Sequence, residues 1–153
     1  MNLDRYEFQA GYNYHVFTFK STGPNGVVPK VITYQPTQIK TPDGRQIVNI
    51  AFGDWNNDKN DLDDYSRSNN SDRDKVLATV ASTIILYCVK HGSPVIMAMG
   101  STPARTRLYQ MGLNMHWAEI KSMFWVKGWA NGRWTDFRPG VNFEAFLVIR
   151  KIG

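Results

Sequence analysis

Hydrophobic and polar residues alternate along the first third of the chain, which predicts β-strands there. Residues 15–20 place an aromatic side chain at every second position, the period of a half-buried strand. Residues 27–34 and 47–52 are two further apolar segments. Sequences rich in glycine, proline, asparagine and aspartate separate these segments at 21–26 and 41–44 and predict turns. We therefore predict an antiparallel meander for this part of the chain.

The middle of the chain changes to a helical period. Apolar residues recur there at three- and four-residue steps and predict one face of a long helix: Leu77, Val80, Ala81, Ile84, Ile85 and Cys88. Ser71 or Asp72 is placed to cap the start of this helix, and Gly92 is placed to end it. The apolar run 95–99 then predicts a central strand that is covered on both faces.

Two shorter helical segments follow this strand. Pro103 suits the first turn of a helix that Ser101 or Thr102 caps. Its predicted apolar face consists of three residues: Ala104, Leu108 and Met111. Residues 113–124 carry the period of one more helical face.

The end of the chain returns to strands. Asn131-Gly132 is the dipeptide most typical of a two-residue hairpin turn, and residues 143–150 predict a final strand. Together the elements predict a single α+β domain over residues 1–153 with a mixed, largely antiparallel sheet. We expect about six to seven strands and two to three helices, in the order βββ-α-β-α-ββ. Strands 47–52 and 95–99 should be parallel if they are neighbours.

Composition narrows the class of protein. The 153 residues are 42% hydrophobic and include one cysteine, which excludes a disulfide scaffold and favours a reducing compartment. No apolar run reaches the length of a membrane span, and the first residues lack an apolar signal core. We therefore expect a cytoplasmic protein with no membrane partner. The three histidines are far apart in sequence and show no zinc-ligand spacing, so no metal site is predicted.

The net charge of +5 is distributed unevenly. Residues 54–74 hold seven Asp against three Lys or Arg, whereas residues 101–153 hold eight Lys or Arg against three acids. A basic excess favours an anionic partner. Because the predicted fold brings both segments to the same strand ends, we expect a polarised cleft rather than a uniformly basic surface.

The main candidate site lies where the apolar run 95–99 turns into the next helix. Ser101, Thr102, Arg105 and Arg107 are close together there. The first turn of a helix offers backbone N–H groups and the positive end of the helix dipole. Hydroxyl and guanidinium groups at that position suit a phosphate or a carboxylate. An ordinary capped helix with arginines on its surface is the alternative.

Polar side chains before the long helix form a second part of the candidate site. Asp54 follows a predicted strand and is a candidate general base, and Asn69 and Asn70 are candidates for positioning a nucleotide. Residues 54–65 match the first positions of a calcium-binding loop, but a lysine and a tyrosine stand where that loop needs glycine and glutamate. A solvated acidic loop and an ordinary helix entry are the alternatives.

Four tryptophans lie between residues 117 and 134, interleaved with lysine and arginine. Aromatic rings among cations suit stacking on single-stranded nucleic acid. The same rings suit packing in the core or, if they are exposed, a homodimer interface. The sequence favours core packing and leaves the other two interpretations open.

Segments spread over nearly the whole chain carry a family resemblance: 4–8, 52–54, 68–70, 74–80 and 100–109. They resemble a family of small, functionally uncharacterised bacterial proteins. This resemblance implies no established activity.

A looser similarity concerns the GNAT N-acetyltransferase fold, which has the same order of elements. Its last core helix often carries a small residue, then Leu or Phe before Tyr, and then Gly, as at Ala104, Leu108-Tyr109 and Gly112. This similarity implies CoA as cofactor and Tyr109 as the general acid that protonates the departing thiolate. Residues 71–75, which would fall on that family's glycine-rich pyrophosphate loop, contain two aspartates and no glycine.

The sequence therefore predicts a protein that binds a phosphate-bearing small molecule or nucleic acid at the strand-to-helix turn. The polar residues at 54, 69–70 and 101–107 should meet at the ends of neighbouring strands, where α/β proteins collect ligands. A divergent acyltransferase that uses Tyr109 and a homodimer without catalysis are the alternatives. The sequence leaves open whether the protein is an enzyme.

Overall fold

The alternating N-terminal segments form the predicted meander in the computed structural model, which describes residues 4–56, 61–63, 70–100 and 102–152. Five strands precede the first helix: β1 (Phe8–Ala10), β2 (Val16–Gly23), β3 (Gly26–Lys40), β4 (Gln46–Asn56) and β5 (Asp61–Asp63). Each of the first four pairs antiparallel with the strand that follows it. The meander is therefore built from local hairpins, whose registers the turns fix.

Helices and strands then alternate as the periodicity predicts. The remaining elements are α1 (Arg73–His91), β6 (Val95–Ala98), α2 (Pro103–Met115), α3 (Trp117–Met123), β7 (Phe124–Ala130), β8 (Arg133–Asp136) and β9 (Ala145–Arg150). The described residues form nine strands and three helices, so the strand count is above the predicted six to seven. The excess arises because β1 and β5 have three residues each, too few for a period of two to be recognised.

One mixed sheet contains all the described strands. Its order is β1-β2-β3-β4-β6-β9-β7-β8, and β5 pairs with the end of β4. The pair β4–β6 is parallel, as predicted, with Ile47 opposite Val95 and Ile50 opposite Ala98. The pairing ends at Ile50 and Ala98, because β6 ends there while β4 continues to Asn56. The other strand pairs are antiparallel.

The helices pack against one face of the sheet and bury the main core there. The core side chains with at most 1% exposure include Phe17, Ile32, Val48, Ile96 and Phe146. Burying one such side chain stabilises the fold by about 1.5–3 kcal/mol. A smaller cluster, centred on Ile47, Val95 and Leu147, lies on the other face and contains strand residues only. The fold is thus a single helical layer on a sheet.

The start of α1 differs from the predicted capping. Asp72 occupies the N-cap position, but its side chain makes no cap hydrogen bond. Its carboxylate instead accepts hydrogen bonds from the Tyr6 hydroxyl at 2.6 Å and the Ser21 hydroxyl at 2.5 Å. Both hydroxyls are nearly excluded from water and need an acceptor. Gly92 ends the helix at φ 78°, as predicted.

The buried face of α2 also differs from the predicted one. Thr106, Gln110 and Gly112 are buried, whereas Met111 is 40% exposed. The Gln110 amide accepts a hydrogen bond from Phe143 N at 2.9 Å and donates one to Val141 O. A glutamine is buried here because it satisfies the backbone of the irregular segment before β9, which hydrophobic periodicity does not reveal.

Candidate functional site

An apolar cavity of about 110 Å³ lies between the helices and the sheet. We call it the helix–sheet cavity. Side chains of α1, α2, α3, β4, β6, β7 and β9 contribute to its lining: Ile50, Phe52, Leu77, Val80, Ala81, Ile84, Ala98, Tyr109, Gly112, Leu113, His116, Ile120, Phe124, Phe146 and Val148. All of these are apolar except Tyr109 and His116. The cavity therefore favours a hydrocarbon group over a polar one.

The apolar face of α1 explains why the cavity exists. Leu77, Ala81 and Ile84, which the helical period places on one face, are only half-buried because they line the cavity. The helix instead buries Thr79, Thr83 and Tyr87 against the meander. The most apolar side of α1 is thus only partly covered, because Val80 and Cys88 are buried while the three half-buried residues face the cavity.

Helices α1 and α2 meet at one side of this cavity. Gly112 allows the contact, because a Cβ atom at that position would overlap the Leu77 side chain. One turn after Gly112, His116 Nε2 lies 3.2 Å from the carboxylate of Asp74 in the first turn of α1, with the His116 side chain 11% exposed. These two contacts fix the helices to each other at one point and leave the cavity beside it.

Tyr109 and Asp54 lie on the same side of β4. The Tyr109 ring packs on Phe52, with 5.0 Å between the ring centroids. Asp54 comes two residues after Phe52, so its side chain projects from the same face of the strand, about 7 Å further along. Its carboxylate forms an ion pair with Lys30, the residue opposite it on β3, and both side chains are nearly buried.

The strand-to-helix turn packs tightly against the first turn of α2. A Cβ atom at Gly100 would lie 2.5 Å from Thr106 N, and Gly100 N donates a hydrogen bond to Thr106 Oγ1 at 2.9 Å. Thr102 caps the helix as predicted, because its hydroxyl accepts a hydrogen bond from Arg105 N at 3.2 Å. Ser101 lies outside the described residues. Since Pro103 has no N–H group, this first turn keeps fewer backbone donors for an anion than the sequence suggests.

The two arginines of α2 differ in exposure. Arg105 is half-buried and lies one turn before Tyr109, so both project from the same face of the helix. Arg107 is exposed. Of the predicted residues on α2, Tyr109 lines the helix–sheet cavity, whereas Thr102 and Arg105 lie on earlier turns of the helix.

Asn70 lies at the β2–β3 turn and is 2% exposed. Its Oδ1 accepts a hydrogen bond from Asn25 N at 2.8 Å, and its Nδ2 donates to Ser21 Oγ at 3.0 Å and to Gly26 O at 3.1 Å. These hydrogen bonds hold the hairpin turn to the start of α1. The neighbouring Asn69 lies outside the described residues, as does most of the acidic loop.

The tryptophans divide between two environments. Trp117 packs against the main core. Trp125 is 59% exposed, and Lys151 Nζ lies 4.1 Å above its ring. Trp129 is opposite Trp134 in the β7–β8 pair, and their ring centroids are 5.2 Å apart. The favoured interpretation, core packing, therefore describes Trp117 but not Trp125.

The sequence-based prediction missed the helix–sheet cavity and His116. The cavity depends on where α1 and α2 diverge, which no local pattern encodes. One signal was present: Tyr109, Gly112, Leu113 and His116 recur at three- and four-residue steps and mark a second face of α2.

Burial perturbs several ionisable groups outside this site. It raises the pKa of the Cys88 thiol to about 11 and raises the pKa of the Tyr34 and Tyr87 hydroxyls. Within the described ranges, no three His, Cys, Asp or Glu side chains are grouped to hold a metal ion. None of the described helices is long and apolar enough to cross a membrane.

Comparison with known proteins gives a family but no activity. No curated protein and no solved structure matches the chain. A family of unknown function, DUF6934, matches residues 2–151, which is nearly the full length of the chain. This agrees with the resemblance to a functionally uncharacterised family, and the chain therefore belongs to the DUF6934 family.

Proposed function

We propose that the protein binds a small molecule that carries an apolar group and an anionic group. Phosphate is the favoured anionic group. The apolar group occupies the helix–sheet cavity, and the anionic group lies toward Thr102 and Arg105 at the start of α2. The observation that carries this proposal is the cavity of about 110 Å³ with an almost wholly apolar lining.

The lining supports ligand binding because it is incompletely covered. Ala81, Ile84 and Leu113 are half-buried although they belong to the apolar faces of their helices. Concave apolar surfaces next to a few polar groups are the usual form of small-molecule sites. An apolar cavity of about 150 Å³ holds benzene in another protein, so this cavity suits a small ring or a short branched alkyl group.

The polar end supports an anion for a separate reason. Arg105 lies one turn before Tyr109, which lines the cavity, and Arg107 is exposed on another face of the same helix. Guanidinium groups bind phosphate and carboxylate through paired N–H donors. A nucleotide or a nucleic acid end carries the same phosphate chemistry, so both are included as test ligands.

The experiment compares ligands that carry one or both groups. Thermal shifts are measured with phenyl phosphate, with phenol and with inorganic phosphate, and an adenine nucleotide and a short oligonucleotide are tested in parallel. We expect the largest shift with phenyl phosphate, a loss of that shift in Ala81→Phe, which fills the cavity, and a weaker shift in Arg105→Ala.

A matched control uses the same helix. Leu86→Phe adds an aromatic ring at a position of α1 that is 38% exposed and outside the cavity, so it should leave binding unchanged. The proposal fails if no ligand shifts the melting temperature at millimolar concentration, or if Ala81→Phe binds as well as the original protein.

A divergent acyltransferase is the second candidate. It is favoured by the parallel pair β4–β6, which ends at Ile50 and Ala98, and by Tyr109, which lines the same cavity as these two residues. In such a reaction an amine attacks a thioester carbonyl, the C–N bond forms, the C–S bond breaks, and Tyr109 gives its proton to the thiolate while a base accepts the amine proton. Asp54 is the candidate base, although its ion pair with Lys30 must then open.

CoA binding and turnover test this candidate. A thermal shift with CoA, and acyl transfer from acetyl-CoA to an amine that falls at least tenfold in Tyr109→Phe, would support it. The absence of any shift at millimolar CoA would reject it.

A homodimer without catalysis is the third candidate, favoured by the exposure of Trp125 on the face without helices.

All three candidates assume the reducing, cytoplasmic location that the sequence predicts. The single cysteine, Cys88, is free and buried.

A further inference from the structure

Two histidines meet at the C-terminal end of α1, away from the helix–sheet cavity. His91 is the last residue of the helix, and His15 follows a 3-10 turn at Tyr12–Tyr14. Their ring centroids are 5.0 Å apart, and the ring planes are tilted by 38°. Both side chains are half-buried, so solvent and small ions can reach them.

Backbone carbonyls determine which ring nitrogen of each histidine carries the proton. His15 Nδ1 lies 3.2 Å from Tyr34 O and 3.4 Å from the Tyr87 hydroxyl, and His91 Nε2 lies 2.7 Å from Asn13 O. A carbonyl oxygen only accepts, so each of these nitrogens donates an N–H. In the neutral imidazoles, His15 Nε2 and His91 Nδ1 therefore keep an unprotonated lone pair. Within the described part of the chain, no hydrogen bond reaches either nitrogen.

The surroundings hold both rings in place. Asn13 and Tyr14 have φ values of 54° and 63°, a conformation that residues other than glycine seldom adopt. This strained turn directs Asn13 O to His91. Tyr87 packs on both rings, with centroids 4.3 Å from His91 and 5.5 Å from His15.

Two nearby charges affect the binding of a cation, one unfavourably and one favourably. Lys90 Nζ lies 5.3 Å from the Tyr14 ring and brings a positive charge to this end of the helix. The carbonyl groups at the C-terminus of α1 carry the negative end of the helix dipole, which favours a cation. The neutral imidazoles add no charge that a metal ion would have to overcome.

We propose that His15 and His91 bind one divalent transition-metal ion, with zinc as the reference ion, through His15 Nε2 and His91 Nδ1. Zinc–nitrogen bonds of about 2.0–2.1 Å and a tetrahedral angle place the centroids of two ligating rings about 5.2 Å apart. The rings are already separated by 5.0 Å. A carbonyl that accepts the other N–H is the usual partner of a metal-ligating histidine. Water completes the coordination, so the site is open.

Zinc titration of the untagged protein by calorimetry tests the proposal. We expect one zinc ion per chain at pH 7.5, with affinity reduced at least tenfold in His15→Ala and in His91→Ala. His116→Ala is the matched control, because His116 contacts Asp74 elsewhere in the fold and its loss should leave zinc binding unchanged. Binding should weaken at pH 5.5, where protons compete for the same nitrogens.

Imidazole nitrogen NMR of the unmutated protein gives a second test that does not depend on whether a variant folds. Zinc should shift the Nε2 resonance of His15 and the Nδ1 resonance of His91 together, and should leave His116 unaffected. The proposal is overturned if one millimolar zinc produces no stoichiometric binding, if binding persists equally in both variants, or if only one of the two histidines responds.

Discussion

Replacing Asn70 by alanine should destabilise the fold without changing ligand binding. The side chain is 2% exposed and makes hydrogen bonds to Asn25 N, Ser21 Oγ and Gly26 O. These groups belong to the β2–β3 hairpin, whereas Asn70 immediately precedes the entry to α1. The substitution therefore removes three of the hydrogen bonds that connect the hairpin to the start of the helical layer and leaves the one from Ser21 to Asp72.

The expected loss of stability depends on whether the three hydrogen-bond partners of Asn70 find other partners after the substitution. Asn25 and Gly26 are exposed, so their backbone groups can bond to water after the change. Ser21 is fully buried but still donates to the Asp72 carboxylate. With about 1 kcal/mol for each hydrogen bond, and more for a buried partner left unsatisfied, we expect a loss of about 2–4 kcal/mol in the free energy of unfolding.

Urea unfolding measures this loss. The midpoint should fall while the slope against urea stays the same, because the surface exposed on unfolding does not change. The control is Asn114→Ala, an exposed position in α2, which should cost almost nothing. A loss below about 1 kcal/mol, together with weaker binding of phenyl phosphate, would refute the structural role of Asn70 and favour a direct role in ligand binding.

Three further predictions test other parts of the fold. Gly100→Ala should destabilise by about 1–3 kcal/mol in thermal unfolding, because the new methyl group would overlap Thr106 N; no change would show that the turn can relax. The raised pKa of Cys88, about 11, should make stability fall as pH rises from about 9 toward 11, because the thiolate forms more easily in the unfolded chain. Cys88→Ala should flatten that slope; an equally steep slope would assign it to other groups. Trp125→Ala should leave stability nearly unchanged, and it should abolish any concentration-dependent dimer seen by sedimentation if the homodimer candidate is correct.

The order of elements was predictable because each long element has its own period. Alternation in β2 and β3 and the helical spacing in α1 are local properties of the sequence, and the Asn131-Gly132 turn is a local property of the backbone. Both turn residues have positive φ, 54° and 77°, as a hairpin turn of this type requires. The parallel pairing of β4 and β6 followed because a helix connects them.

The site was harder to predict because it depends on distant contacts. Asn70 has the polarity of a ligand-binding residue, but its partners lie on a hairpin that is far away in sequence. The helix–sheet cavity lies beside the contact between Leu77 of α1 and Gly112 of α2 and is completed by residues of several strands. A helical wheel shows which residues face inward, but it does not show whether another side chain fills the space they face.

The helix–sheet cavity also has a consequence for how the protein should evolve. The half-buried apolar side chains that line it keep part of their surface in contact with water, and larger side chains that covered them would add stability. Selection for heat resistance alone should therefore enlarge residues such as Ala81 or Ala98 first. If such variants become more heat-stable but no longer bind the ligand, the cavity is retained for binding although it lowers the stability of the fold. This would be a trade-off between stability and function.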